Sequence, residues 1–356
     1  MGIGPPMTER VLFVASLYND GILAHGLSYE YYNLYKPLEQ AVGNVDTFDF
    51  MQRMHEIGGE RMNGLLLETV KRDRPALVLV VPFRDEFDPA VMDDLMKCTT
   101  TVAYFFDDIW RREYSEFWAP HFTYVTTSDV NGVRRFREAG SNNAVYSPFA
   151  CNHEIFVKKD LEKIYDVAFV GQFHPNRAWW IRELRRAGIN IAVWGHGWDT
   201  GSVGEEDLVR IFNQARISLN LSNSNSLDLR YVLALRRPIS ETLRTWKRTA
   251  RAFMRGDSKN REQVKGRHFE ISACGGFQIS YYVEGLERHY QIGEEIALYA
   301  SPDDLIETIR YYLKHDDERE AIALRAYERT WREHTMARRF RDLLGQTGHA
   351  ELLVAP

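Results

Sequence analysis

The chain has 356 residues, 44% of them apolar and 27% charged, with a formal net charge of −5. It is too long for one ordinary α/β core and suits two, and its composition is globular, which excludes disordered and fibrous classes. No apolar run of about 18 residues is present, so no membrane-spanning helix is expected.

In chain order, the first half offers Val11–Ser16, Val45–Phe50, Ala76–Val81, Thr101–Phe106, Phe122–Thr126 and Ala144–Ser147 as strands. Helical periodicity falls between them at His25–Ala41, Gly58–Arg72, Pro89–Lys97 and Val130–Glu138. VLFVAS and ALVLVV are apolar without alternation, as strands covered on both faces should be. After Pro148 the series restarts with strands at Tyr165–Val170, Ile189–Trp194 and Ile217–Leu221, separated by helices at Arg177–Ala187 and Glu205–Ala215. Phe277–Ser280 and Ile296–Tyr299 follow as strands, then helices at Asp303–Leu313 and Asp317–Leu344. The alternation predicts an α/β protein with parallel sheets. The restart predicts two Rossmann-like domains facing each other across a cleft, 1–150 and 151–330, with a boundary near 148–163.

Cys98, Cys151 and Cys274 lie far apart without CxxC spacing, which suits a reducing compartment and neither a disulfide framework nor a zinc site. MGIGPPMTER lacks the basic start and apolar run of a signal peptide. A cytoplasmic protein is expected. One segment departs from the rest: from Arg230 to Arg267 there are twelve Lys or Arg against three acids, an excess of nine, so the remainder carries −14. Within it Leu243, Trp246, Ala250 and Phe253 recur at helical spacing among Arg244, Lys247, Arg248, Arg251 and Arg255, a basic amphipathic helix. Three uses are open to residues 240–255: lying on an anionic membrane surface, holding an anionic acceptor, or packing onto protein, an oligomer contact included.

The motif richest in chemistry runs Lys265-Gly-Arg-His-Phe-Glu270-Ile-Ser-Ala-Cys-Gly275-Gly276-Phe277. Basic residues and a glycine ahead of a helix supply donors for a diphosphate. A carboxylate in the first turn can accept two ribose hydroxyls or merely cap the helix, and a double glycine permits close backbone approach. A second motif, Asp166-Val-Ala-Phe-Val-Gly171-Gln-Phe-His-Pro-Asn176-Arg177, is a strand and glycine turn opening a helix. It is not the GxGxxG fingerprint, which argues against NAD. Arg177 could hold phosphate oxygens bidentately or stand in solvent. Trp194-Gly195-His196-Gly197-Trp198 is a glycine-rich loop after a strand, where open α/β sheets bind ligands, although Trp198 could equally be core.

The pattern from Arg267 through Glu270 and Gly275-Gly276-Phe277 to Gly293-Glu-Glu-Ile and Tyr299…Asp304-Leu305 resembles GT-B glycosyltransferases, most closely the family named after the spore maturation protein CgeB. The resemblance covers the second domain well and the first loosely. It implies a glycosyltransferase working without a metal or other cofactor, which passes a sugar from a nucleotide-sugar donor, a UDP-sugar before others, to a hydroxyl of a glycan, lipid-linked or other acceptor. It makes the second domain the donor domain, with a basic insertion at 230–264 before the donor motif. Glu270 becomes the ribose ligand, with Glu262 at the spacing of a partner glutamate. Gly171 lies under the donor, Arg177, Lys265 and Arg267 meet the diphosphate, Gly195, Gly197 and Trp198 lie near the base, and Asn220 or Ser222 lies near the donor. It also implies that a last helix, 330–346 with His334 and Thr335 inside it, returns to the first domain. A nucleotide-sugar epimerase on the same fold and a two-lobed ligand-binding protein are the alternatives.

In the first domain Ala103-Tyr-Phe-Phe-Asp107-Asp108 places two carboxylates after an apolar strand. Either could act on the acceptor hydroxyl as general base, or cap a helix. A Mg²⁺ pair is the competing use, but adjacent side chains diverge. Asn19, His25, Ser28 and Tyr31, after the first strand, are the acceptor-side candidates, while His174, His268 and His334 are expected to be structural.

Overall fold

The computed structural model describes residues 8–222 and 262–354. Nearly all of the basic insertion, including the helix expected at 240–255, lies outside these residues. The chain divides into two compact units, Met1–Pro148 with Met336–Pro356, and Phe149–Thr335.

In the first unit six strands form one parallel sheet in the order β2-β1-β3-β4-β5-β6. They are β1 Thr8–Ala15, β2 Val45–Asp49, β3 Pro75–Val80, β4 Thr100–Ala103, β5 Tyr124–Thr127 and β6 Ala144–Tyr146. Val11 to Ala15 are all buried, because helices cover both faces of a parallel sheet. Those helices are α1 Lys36–Val42, α2 Phe50–Ile57, α3 Gly59–Asp73, α4 Pro89–Met96, α5 Arg112–Trp118 and α6 Gly132–Glu138. Asp49 and Asp88 cap α2 and α4 by accepting from Gln52 N and Ala90 N, and Pro89 fits the first turn of α4.

The second unit holds a five-stranded parallel sheet in the order β11-β10-β9-β7-β8. Its strands are β7 Tyr165–Val170, β8 Ile191–Trp194, β9 Ala215–Asn220, β10 Gln278–Tyr281 and β11 Ala297–Tyr299. Its helices are α7 Pro175–Arg186, α8 Glu205–Gln214, α9 Gly266–Ala273, α10 Pro302–Tyr312 and α11 Asp316–Glu333. Val167, Phe169, Ile217, Leu219 and Ile279 pack with Trp180, Leu184 and Ile309 into its core.

Three expectations are corrected. The helix expected from His25 begins only at Tyr29, its Tyr31–Tyr35 stretch wound as a π-helix that runs into α1. Residues before it are held in a closed loop, in which Asn19 Nδ2 donates to His25 O (3.1 Å) and Leu27 O (3.0 Å). The helix expected over Asp317–Leu344 is two helices, because the chain breaks at His334 and Thr335 before α12, Met336–Gln346. Extended backbone at Thr335 pairs there with Cys151. α2 and α5 were not expected at all: each is about two turns of mixed polarity, too short for a clear period.

Candidate functional site

In the second unit the chain leaves β7 toward β8 on one side and later returns to place β9 on the other. Such a reversal opens a crevice outside the carboxyl ends of the two strands, where open α/β sheets bind ligands. Arg177, in the first turn of α7, spans it: Nη1 donates to Gln172 O (2.8 Å) after β7, and Nε donates to Leu221 O (3.0 Å) after β9. Burial lowers the proton affinity of this guanidinium, the Glu262 carboxylate opposes that effect, and Arg267 adds to it. Asn220, at the end of β9, is only 6% exposed and its Nδ2 has no partner among the described residues.

The neighbouring loop is fastened to this place by its backbone. Gly171 N donates to Trp194 O (2.9 Å) and Phe173 N to His196 O (2.8 Å). Gly195 has φ +137°, and a Cβ there would collide with the Gly171 carbonyl, so only glycine fits. A Cβ at Gly197, φ +85°, would meet Phe173 Cβ. Trp198 Nε1 donates to Gly171 O (2.9 Å) and its ring meets Phe173 edge-on, so it ties the two loops together.

α9 brings the remaining charges. Arg267 Nη1 lies 2.7 Å from Glu270 Oε2, and its guanidinium sits over the Phe212 ring. Glu270 is 4% exposed; burial raises its carboxyl above the ordinary range, outweighing the pull of Arg267. Lys265 stands at the N-cap of the helix, where its backbone N donates to His268 Nδ1 (3.1 Å) and its carbonyl accepts from His268 N (3.0 Å). His268 is fully buried, with Nδ1 against Lys265 and Nε2 3.2 Å from Ser280 Oγ. Burial lowers its pKa to about 4, so the ring is neutral. Gly275 and Gly276 follow the end of the helix, against the Lys158 side chain and the Ile271 and Phe212 carbonyls. Gly171, Arg177, Gly195, Gly197, Trp198 and Asn220 thus share one sheet edge. Electrostatic proximity ties Glu262, Arg267 and, through Arg267, Glu270 to Arg177.

In the first unit the corresponding reversal lies between β1 and β3. Asn19 is spent on closing the loop after β1, and buried Ser28 donates from Oγ to Ser16 O (2.7 Å) while accepting from Tyr31 N (3.1 Å). His25 is exposed beside Asp20, and Tyr31 packs against Tyr32 and Tyr35. Asp107 is half-buried and Asp108 is 1% exposed. Asp108 accepts from Thr127 Oγ1 (2.5 Å), Ser128 N (3.1 Å), Ser128 Oγ (3.0 Å) and Arg135 Nη2 (2.7 Å). Its oxygens are filled from its own domain, an arrangement that joins β4 to β5 and α6. Sequence reasoning passed over Arg135, which pairs with Asp108, 27 residues back, as well as with Asp129 (3.4 Å).

The family described as glycosyl transferase-like matches residues 177–345. No curated protein matches the sequence. Among solved structures the chain is similar to sucrose-phosphate synthase from Thermosynechococcus elongatus, with TM-score 0.63 and 11% identity over 96% of this chain and 100% of that one. It is also similar to HepE from Anabaena in complex with UDP-glucose, with TM-score 0.62 and 8% identity over 95% and 99%. The pneumococcal O-GlcNAc transferase GtfA, in complex with UDP and GlcNAc, follows at TM-score 0.51 and 11% identity over 82% and 61%. The fold is of the GT-B type, two parallel-sheet α/β domains, with a glycosyl transferase-like segment in the second half.

Proposed function

We propose that the chain is a glycosyltransferase that passes a sugar from a nucleotide-sugar donor, a UDP-sugar before others, to an acceptor hydroxyl, without a metal. The observation that carries this reading is Arg177 bridging the two loops of the crevice beside β7 and β9. A fixed guanidinium with Glu262 and Arg267 close by suits a ligand combining phosphates with hydroxyls. HepE in complex with UDP-glucose and GtfA in complex with UDP and GlcNAc share the fold of this chain.

In this reading Arg177, Lys265 and Arg267 neutralise the diphosphate, and the amide of Asn220, without a partner among the described residues, donates to the donor. Glu270 accepts ribose hydroxyls while keeping its pairing with Arg267. Gly171, Gly195 and Gly197 let the backbone approach the nucleotide, with Trp198 holding their loops together. The resemblance of the Lys265–Phe277 motif to the retaining branch of GT-B glycosyltransferases supports the assignment of Glu270. The acceptor is carried by the first unit, where Asp107 meets its hydroxyl and Asp108 anchors the loop. Because the leaving group is a stabilised diphosphate, positive side chains can meet its developing charge directly.

Thermal-shift measurements with UDP-, GDP-, dTDP- and CMP-sugars test the proposal. A ligand that binds only the folded state raises the melting temperature, by about 2.7 kcal/mol of stabilisation at a hundred times its Kd. A rise with UDP-sugars ahead of the others is expected. No rise with any nucleotide sugar overturns the donor site.

A further inference from the structure

His268 lies between the first turn of α9 and the end of β10, and it is fully buried. Its Nδ1 accepts from Lys265 N (3.1 Å), which leaves the proton on Nε2, 3.2 Å from Ser280 Oγ. Ser280 in turn donates to Tyr281 O (3.0 Å). Three bonds thus run in one direction from the N-cap of α9 to the carboxyl end of β10. The His268 carbonyl is occupied as well, accepting from Gln278 Nε2 (2.7 Å) and from the Tyr290 hydroxyl (3.3 Å). Burying so polar a ring has a cost that a phenylalanine would not have. What the ring supplies is direction. Apolar contact is non-directional and would hold α9 on the sheet without fixing its height or rotation, whereas hydrogen bonds weaken steeply away from their preferred lengths and angles.

The place so fixed is the one that carries the charges of the crevice. Ser280 is the register partner of Asn220 on β9, and paired positions of a sheet share a face. Asn220 is 6% exposed, and its Nδ2 has no partner among the described residues. The next residue, Leu221, accepts from Arg177 Nε at its carbonyl (3.0 Å). At the other end of the chain of bonds stand Lys265 and, two residues on, Arg267, whose charge acts on Arg177. One imidazole therefore joins the helix turn bearing two cations to the sheet edge bearing Asn220 and Arg177.

We propose that His268 is a positioning residue of the donor site: through Ser280 it holds the turn of Lys265 and Arg267 at a fixed distance from Asn220 and Arg177, so that these groups meet one nucleotide diphosphate together. This rests on the glycosyltransferase reading and adds to it a residue that itself touches no ligand.

Calorimetry with UDP and thermal melts on the full chain test it, comparing the native protein with His268→Phe, Ser280→Ala, the double variant and Tyr290→Phe. We expect UDP to bind His268→Phe about tenfold more weakly than the native chain, a loss of about 1.4 kcal/mol, and Ser280→Ala to be weakened in the same direction. The double variant should bind no more weakly than His268→Phe, because both changes cut the same chain of bonds. Tyr290→Phe removes a buried hydroxyl that donates to the carbonyl of the same histidine, so it should lower the melting temperature and leave UDP affinity unchanged. Should His268→Phe fail to fold, Ser280→Ala, which loses only a hydroxyl, carries the comparison. UDP bound by either single variant as tightly as by the native chain overturns the proposal and leaves the donor reading intact. Equal weakening in Tyr290→Phe also overturns it, since any loosening of α9 would then suffice. A native chain that binds no UDP sinks the donor reading, and the proposal with it.

Discussion

Two adjacent aspartates in one loop differ in burial: Asp107 is half-buried and Asp108 is 1% exposed. Asp108 is bound by Thr127 and by Arg135, 19 and 27 residues away in sequence. Removing Asp108 takes the shared acceptor from the buried Thr127, Ser128 and Arg135 donors, at a cost of about 1–3 kcal/mol for each group left unsatisfied, while Asp129 (3.4 Å) keeps part of the pairing of Arg135. Asp108→Ala should therefore lower the melting temperature sharply, whereas Asp107→Asn should leave it nearly unchanged and, if Asp107 meets the acceptor, cut turnover about a hundredfold. The reverse pattern in melting curves and transfer rates would exchange the two roles. The sequence placed both carboxylates in the right loop but held no local signal for which one Arg135 takes. His268 offers a second test. Its pKa of about 4 in the fold lies below the 6.5 of an ordinary histidine, so the unfolded chain gains a proton first as the pH falls. Its neutral form thus stabilises the fold fully above about pH 6.5, and that contribution declines toward pH 4, by about 3 kcal/mol in all. Melting temperature followed from pH 7.5 to 4.5 should fall less steeply in His268→Gln than in the native chain; identical slopes would show that other groups carry the acid sensitivity.

At the scale of elements, strands were legible and loops were not. Runs such as VLFVA and YDVAFV are apolar at nearly every position, and the structure places β1 and β7 there. The short helices α2 and α5 escaped because two turns give no reliable period. The glycine-rich motifs pointed to the loops after β7 and β8, but the tie between those loops is made by backbone groups that carry no side-chain signature. Gly195 and Gly201 separate two effects there. Both have positive φ, yet a Cβ at Gly195 strikes the Gly171 carbonyl, while one at Gly201 meets nothing within 4 Å. Gly201→Ala should cost about 1–3 kcal/mol of strain and leave nucleotide affinity alone. Gly195→Ala should add displacement of the Gly171 turn, where Arg177 is fixed through Gln172 O, and so weaken UDP binding as well. Calorimetry with UDP alongside thermal melts decides this, and equal UDP affinity in the two variants would mean that the tie does not shape the site.

At the scale of the whole molecule, the first unit is not a continuous stretch of chain. Residues up to Pro148 are joined in it by Met336–Pro356, after the entire second unit has intervened. α12 packs on α1, Phe340 lies against Tyr104, and the chain end is pinned where Val354 N donates to Ala41 O (2.9 Å). Met336, Phe340, Leu343 and Leu344 are each no more than 2% exposed. Burying four such side chains contributes roughly 6–12 kcal/mol at about 1.5–3 kcal/mol each, against a typical domain stability of about 5–15 kcal/mol. The last helix therefore supplies a share comparable to the whole margin by which this unit stays folded. A fragment of residues 1–148 should expose the α1 and Tyr104 surfaces and fail to unfold cooperatively. The same fragment joined to residues 336–354 through a flexible linker should regain a sharp thermal transition, since the linker replaces only the tether that the second unit provides. Circular dichroism melts of the two constructions test this directly. A cooperative transition in the short fragment, at the temperature seen for the linked one, would show that α12 covers the first unit without supporting it.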